Sequence, residues 1–206
     1  VRIDVWSDIV CPWCAIGRKR LTDALRAEGV QAEVVHRAFE LDPTHRAARP
    51  TREVLAERYG GRDVGAMMRR VRELGAAEGL DLRTEEAISA NTFDAHRLLL
   101  WTQAQGKGDA MMRRLVEAHF TRSLDLSDHG VLAGCAVACG LDAAAAREAL
   151  ASDAFAAQVR ADEEEAHALG VTGVPFFVLD RRLGVSGAQD VAVFRSAIAQ
   201  ARQAQA

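Results

Sequence analysis

Ser7-Asp8-Ile9-Val10-Cys11-Pro12-Trp13-Cys14 is the stretch on which the fold depends. Before it, Arg2-Ile3-Asp4-Val5-Trp6 alternates like a half-buried strand; after it, residues 12–28 carry Cys14, Leu21 and Leu25 at helical spacing. The two cysteines therefore stand where a strand gives way to a helix. Pro12 suits the first helical turn, because the N–H it lacks would be unbonded there anyway. Cys11 lies among free backbone N–H groups and the positive end of the helix dipole, which favours its thiolate. Cys14 follows three residues on, on the same helical face and nearer the core. Thiol–disulfide exchange needs that asymmetry: one cysteine to ionise and attack, another to resolve the mixed disulfide. Cys11 is the predicted attacking and leaving thiol, and Cys14 the resolving one.

A Cys-x-x-Cys is also half of many zinc sites, and Cys135 with Cys139 could supply the other half. Zinc knuckles usually bend through glycine-containing turns, whereas this pair opens a helix directly after a strand. The setting favours redox chemistry, and no metal is expected. Cys135 and Cys139 share a stripe with Leu132 and read as small apolar core residues. An accessory redox pair is the alternative, although a disulfide between i and i+4 of a continuous helix is geometrically awkward.

Outward from the motif, Gly29 ends the first helix and residues 32–39 alternate as a second strand. Leu41-Asp42-Pro43 opens a turn-rich stretch that reaches Pro50. The next hundred residues show no convincing strand. Helices are predicted over 51–59 and 63–78, the latter with Met67, Val71 and Leu74 on one stripe. Asn91 is the predicted N-cap of a helix to Gln105, with Asp94 favouring its positive end. Helices over 109–123, 129–139, 142–151 and 153–169 follow, and Gly170 closes the last. Residues 175–179 then form a short apolar strand, Leu183-Gly184-Val185 a hairpin partner, and 191–203 a final helix. The order β-α-β, helices, β-β-α predicts an α/β chain in two parts. Residues 1–50 and 152–206 carry the sheet, and 51–151 form an all-helical insertion.

The 206 residues are 49% hydrophobic and 27% charged, enough to bury a core without disulfide staples. A formal charge of −3 argues against a nucleic-acid surface. No run of 18 apolar residues suits a membrane span. The opening residues lack the apolar core of a signal peptide, and four cysteines do not make a secreted scaffold. The cytoplasm is the expected compartment.

Further landmarks lie in register along the chain: Ile16-Gly17, Phe39-Glu40-Leu41-Asp42-Pro43, and Asn91-Thr92-Phe93-Asp94-Ala95-His96-Arg97-Leu98. Gly170-Val171-Thr172-Gly173-Val174-Pro175-Phe176-Phe177-Val178 and Val185-Ser186-Gly187-Ala188-Gln189 complete the set. With the cysteine motif they resemble, over essentially the whole chain, the DsbA-like branch of the thioredoxin superfamily, specifically its FrnE-type members. The resemblance implies a thioredoxin fold with a large helical insertion, and a protein disulfide oxidoreductase or isomerase. It makes Cys11 and Cys14 catalytic, supported by Pro12, Trp13, Val174 and Pro175. Pro175 becomes a cis-proline facing the cysteines, and Val174 offers its backbone to an extended substrate as if adding a strand. Protein or peptide thiols and disulfides are the implied partners, with glutathione as a redox partner and no tightly bound cofactor.

Two departures stand out. Ala15 replaces the aromatic residue that relatives often carry, and Val5 occupies the place of a buried acid, with Asp4 beside it. Asp8 is the candidate to supply that acid. His96 is a second candidate, on a helix expected to overhang the cysteines; a structural hydrogen-bonder is the plainer reading. The same branch includes kappa-class glutathione transferases and 2-hydroxychromene-2-carboxylate isomerases, which use a serine where this chain has Cys11. A glutathione-dependent enzyme acting on a small aromatic molecule is therefore the alternative, and a non-catalytic redox sensor the third reading. Possession of both cysteines favours exchange.

Overall fold

The computed structural model describes residues 1–204. Its strands are β1 (Arg2–Ser7), β2 (Glu33–Ala38), β3 (Arg49–Pro50), β4 (Ile88–Ser89), β5 (Phe176–Leu179) and β6 (Leu183–Ser186). Four of them form one sheet in the order β2-β1-β5-β6. β1 runs parallel to β2, Arg2 opposite Glu33, and antiparallel to β5, Ile3 opposite Leu179. The two ends of the chain thus meet around the first strand.

Alternation along β1 sends Ile3 and Val5 to one face and Asp4 and Trp6 to the other. The first face is covered by α1 (Pro12–Ala27) and by the final helix, Val191–Gln203. Leu21, Phe177, Leu179, Phe194 and Ile198 are sealed there, and the Phe177 and Phe194 rings meet edge to face at 4.9 Å. Each such side chain contributes about 1.5–3 kcal/mol by leaving water. On the second face Trp6 packs with Phe39, Ala166 and Val171. Arg37 spans this layer, donating from Nε to Asp4 and from Nη1 to Asp162, both at 2.9 Å.

The middle of the chain holds α2 (Thr51–Arg58), α3 (Val64–Ala77), α4 (Phe93–Gln103), α5 (Gly108–Val116), α6 (His129–Ala138) and α7 (Ala143–Ala151). Then come α8 (Ala156–Ala168) and α9 (Val191–Gln203). Helices α4 to α7 share a core of Leu98, Leu99, Met111, Leu115, Leu132, Cys135 and Cys139. Ile9, from the loop after β1, is buried in that same core, so the helical block holds the approach to Cys11. Ala15 and Ile16 pack with Leu82, Ala87 and Phe120.

Several expectations from sequence need correction. The middle hundred residues do contain strand pairing: β3 and β4 join antiparallel, Arg49 opposite Ser89 and Pro50 opposite Ile88. On α3 the buried methionine is Met68, while Met67 is exposed, because the helix turns Gly75 against Leu82. A Cβ on Gly75 would sit 2.7 Å from Leu82 Cδ1, so a larger residue there would force the Leu82 side chain to shift. Asn91 is one residue early as a cap: Thr92 is the N-cap, and Asn91 Oδ1 accepts the Phe93 N–H at 3.0 Å. The helix expected over 109–123 gives way after Val116 to a π turn, Glu117–Thr121, which buries Ala118, His119 and Phe120 in succession. α8 starts at Ala156 and not 153, because Phe155 adopts left-handed φ 61, which a continuing helix cannot include.

Candidate active site

Pro12 begins α1, and Cys11 is its N-cap in extended conformation, φ −90 and ψ 111. No side chain occupies the cap. The Cys11 carbonyl accepts from the N–H groups of Cys14 and Ala15 at 3.0 and 3.3 Å, while the Cys11 N–H donates to the Asp8 carbonyl at 3.2 Å. Both cysteines are free thiols. Cys11 Sγ donates to the Val174 carbonyl at 3.8 Å, and the Val174–Pro175 peptide is cis, as the resemblance implied. The cysteine motif and the proline loop, far apart in sequence, are one site.

Packing holds the two together. A Cβ at Gly17 would lie 3.0 Å from Pro175 Cγ, 3.2 Å from Phe177 Cζ and 3.3 Å from Ala188 Cα. The missing side chain at residue 17 lets α1 rest closely on the proline loop; any Cβ there would press the loop outward by a few tenths of an ångström. The Gly187 N–H donates to the Pro175 carbonyl at 2.8 Å, and Arg20 Nη1 donates to the Ala188 carbonyl at 2.9 Å. Pro12 is half-buried, and Trp13, 41% exposed, presents an apolar face beside Cys11. Burial first, then the hydrogen bond and charge of Cys11, pushes the Cys14 thiol well above the ordinary thiol range. Cys14 therefore rests protonated.

Asp8 and His96, both singled out from sequence, are brought together behind the motif. Both are almost fully buried, with His96 Nε2 3.4 Å from Asp8 Oδ1. Asp8 Oδ2 accepts the Leu41 N–H at 2.8 Å. Neither His96 ring nitrogen, nor Asp8 Oδ1, has a protein hydrogen-bond partner. His119, which sequence reasoning missed, completes the group from the π turn; burial lowers its pKa to about 4 against the opposing charge of Asp8. Unpaired buried polar atoms of this kind cost ~1–3 kcal/mol each. The sequence signal for His119 was slight, since a histidine in an amphipathic helix ordinarily faces solvent and only the π turn brings it inward. Asp4, by contrast, serves the opposite layer. Burial raises its carboxyl, but hydrogen bonds from Arg2 and Arg37 outweigh that and hold it below the usual carboxylate range.

Cys135 and Cys139 belong to the core of the helical block. Cys135 Sγ lies 4.0 Å from the Arg114 carbonyl, and burial, then the neighbouring Cys139, pushes its thiol up to about 11. Among the described residues, no three His, Cys, Asp or Glu side chains gather as a metal-binding group.

Sheet order, the helix that opens on the cysteines and the facing cis-proline loop together define a class, the thioredoxin-fold thiol–disulfide oxidoreductases. Within that class, the chain belongs to the DSBA-like thioredoxin domain family, whose profile matches residues 2–199. A probable DsbA oxidoreductase from Streptomyces coelicolor is 42% identical and superposes with a TM-score of 0.92, over 98% of this chain and 90% of that one. The cytosolic disulfide reductase DsbM from Pseudomonas aeruginosa shares the fold at 18% identity and TM-score 0.70, over 98% and 99% of the two chains. The uncharacterized protein YwbO of Bacillus subtilis is 24% identical over 96% of each chain.

Proposed function

We propose that this chain exchanges disulfides of protein or peptide substrates, with Cys11 attacking and Cys14 resolving. One observation carries the reading: the thiol at the N-terminal end of α1 points at the Val174 carbonyl, while burial pushes its partner's thiol well above the ordinary range. An extended substrate segment brought to Val174 would place its disulfide beside Cys11 without reading side chains, and Trp13 adds apolar contact. Cys11 thiolate attacks one substrate sulfur and forms the mixed disulfide; the other sulfur leaves as a thiolate. Cys14, once deprotonated, attacks Cys11, closes the Cys11–Cys14 disulfide and releases the second substrate thiolate. Pro12 starts the helix, and Pro175 leaves the sulfur side of the loop without an N–H.

Glutathione is the proposed reductant of the closed pair and the cytoplasm the proposed compartment. Support comes from DsbM, a cytosolic disulfide reductase also solved with glutathione, and from the fact that no described helix is long and apolar enough to cross a membrane. The FrnE-type assignment rests on the sequence landmarks alone. Insulin reduction driven by glutathione tests the proposal. Turnover that disappears in Cys11→Ser supports it. Conjugation of glutathione to an electrophilic aromatic substrate without insulin turnover would replace it with the transferase reading, and inactivity in both assays with the sensor reading.

A further inference from the structure

Beyond His129, the sequence of α6 holds no charged side chain. Leu132, Ala133 and Ala136 face the core of the helical block, yet Gly130, Gly134 and Ala138 are exposed. A helix that is apolar all round is ordinarily buried all round. Along the exposed face runs a cleft of about 510 Å³, within the roughly 300–1,000 Å³ typical of small-molecule sites. It shares no lining residue with the Cys11 site. Opposite α6 its wall is the end of α5, the π turn and the loop that follows. In that loop Ser123 adopts left-handed φ 50, uncommon for a residue with a side chain, between Arg122 and Leu124, which both line the cleft.

Gly134 has no explanation inside the chain. Its backbone is ordinary helix, and a Cβ there would meet nothing within 4 Å. Glycine inside a helix weakens it relative to alanine, so the fold gains nothing from this one. Gly130 differs, because its Cβ would press at 2.9 Å on Oδ1 of Asp128, the cap of α6. What the missing side chain of Gly134 does is keep the cleft open. The charges on the rim narrow the choice of occupant. Arg114 is bound to Glu117 at 2.7 Å, and Asp128 accepts the Gly130 and Val131 N–H groups at 2.6 and 3.2 Å. The Arg122 guanidinium has no hydrogen bond or ion pair among the described residues. Its charge reaches the floor: burial and then Cys139 raise the Cys135 thiol, and Arg122 opposes them more than Arg114 does.

We propose that this cleft binds a small organic anion, a carboxylate or sulfonate carried on an apolar body. Arg122 takes the charge, while Leu124, Val131 and Ala138 take the body across the opening at Gly134. The one unengaged cation selects an anion over a neutral molecule. The apolar walls select against inorganic phosphate or sulfate, which would lose water against carbon and gain nothing in return. The site stands apart from disulfide exchange and does not depend on it.

The test titrates the full chain with two fluorescent probes, anilinonaphthalene sulfonate and phenylnaphthylamine, the same aromatic body without the sulfonate. Saturable binding of one sulfonate probe per chain is expected. Arg122→Gln should weaken that probe about tenfold and the neutral one less than about twofold. High salt should weaken the sulfonate probe in the same selective way. Gly134→Leu should remove both probes, because its side chain fills the opening. Its thermal midpoint should not fall, since the new Cβ meets no atom and leucine is the better helix former. If Gly134→Leu fails to unfold cooperatively, Arg122→Gln decides alone, because the fold makes no bond to that guanidinium. Equal affinity of the sulfonate probe for the wild type and either variant overturns the site. So does a doubled molar mass in light scattering that Gly134→Leu returns to that of one chain, since the face would then seat a second copy.

Discussion

The chain carries two cysteine pairs, and exposure does not tell them apart: Cys11 and Cys14 are each 5% exposed, Cys135 7% and Cys139 8%. A cleft of about 510 Å³ even opens beside Cys135, between Arg114, Arg122 and Asp128. What differs is the backbone around each sulfur. Cys11 stands outside the first turn of α1, where N–H groups have no helical partner. Cys135 sits inside α6 and Cys139 is its C-cap, at the end where carbonyls are left over and a thiolate is disfavoured. The same side chain is a candidate nucleophile in one place and core filling in the other.

Cys11→Ser is the most severe way to challenge that contrast. Disulfide reductase activity is expected to fall to background, with Cys135 and Cys139 unable to replace it. Residual turnover that vanishes only when the second pair is also removed would erase the distinction. Cys14→Ser should abolish turnover but leave attack intact, so that mass spectrometry finds the substrate held on Cys11. Adducts on Cys14 in Cys11→Ser, with none in the converse protein, would reverse the two roles.

A pH series sharpens the other half of the comparison. The folded Cys135 thiol titrates at about 11, above its ordinary 9.0, so the fold favours the protonated form. The stabilisation is complete below the unfolded value and fades as pH rises through the folded one. Urea unfolding should show the wild type losing more stability than Cys135→Ala over that window, on the order of 1 kcal/mol after solvent screening. Parallel pH curves for the two proteins would mean that Cys135 is not sealed as described. Smallest of all, replacing Cys135 and Cys139 together by alanine should cost about 1 kcal/mol per site and leave activity unchanged. Lost turnover in a protein that still unfolds cooperatively would promote the pair to an accessory redox centre.

Much of this was legible because it rests on local rules. Strand alternation before Cys11, Pro12 at the first helical position and the apolar run Phe176-Phe177-Val178-Leu179 each declare an element within a few residues. What escaped depended on partners distant in sequence. β3 and β4 are two residues each, too short for any alternation, and exist only because residues 49–50 meet 88–89. Met68 displaced Met67 from the core because Gly75 meets Leu82, a contact that helical spacing cannot reveal. The cysteine pair was readable as a motif, and Asp8 and His96 as candidates, but the burial of His119 required a π turn that residue preferences do not announce.

The order of strands in the sheet bears on how the molecule is made. β1 is synthesised before the other strands, yet its antiparallel neighbour is β5, and the Arg2 N–H finds Asp180 only 178 residues later. Throughout most of translation the strand leading into Cys11 has an open edge, the kind that invites pairing with other chains. Val174 and Pro175 emerge only shortly before β5, so the nascent chain carries its reactive thiol long before the loop that faces it. Helices α4 to α7 depend on contacts nearer in sequence and can gather while the C-terminal strands are still being synthesised. Ile9, seated in their core, then moors the waiting strand to a structure already formed, and the newborn chain is held in position for its last partner.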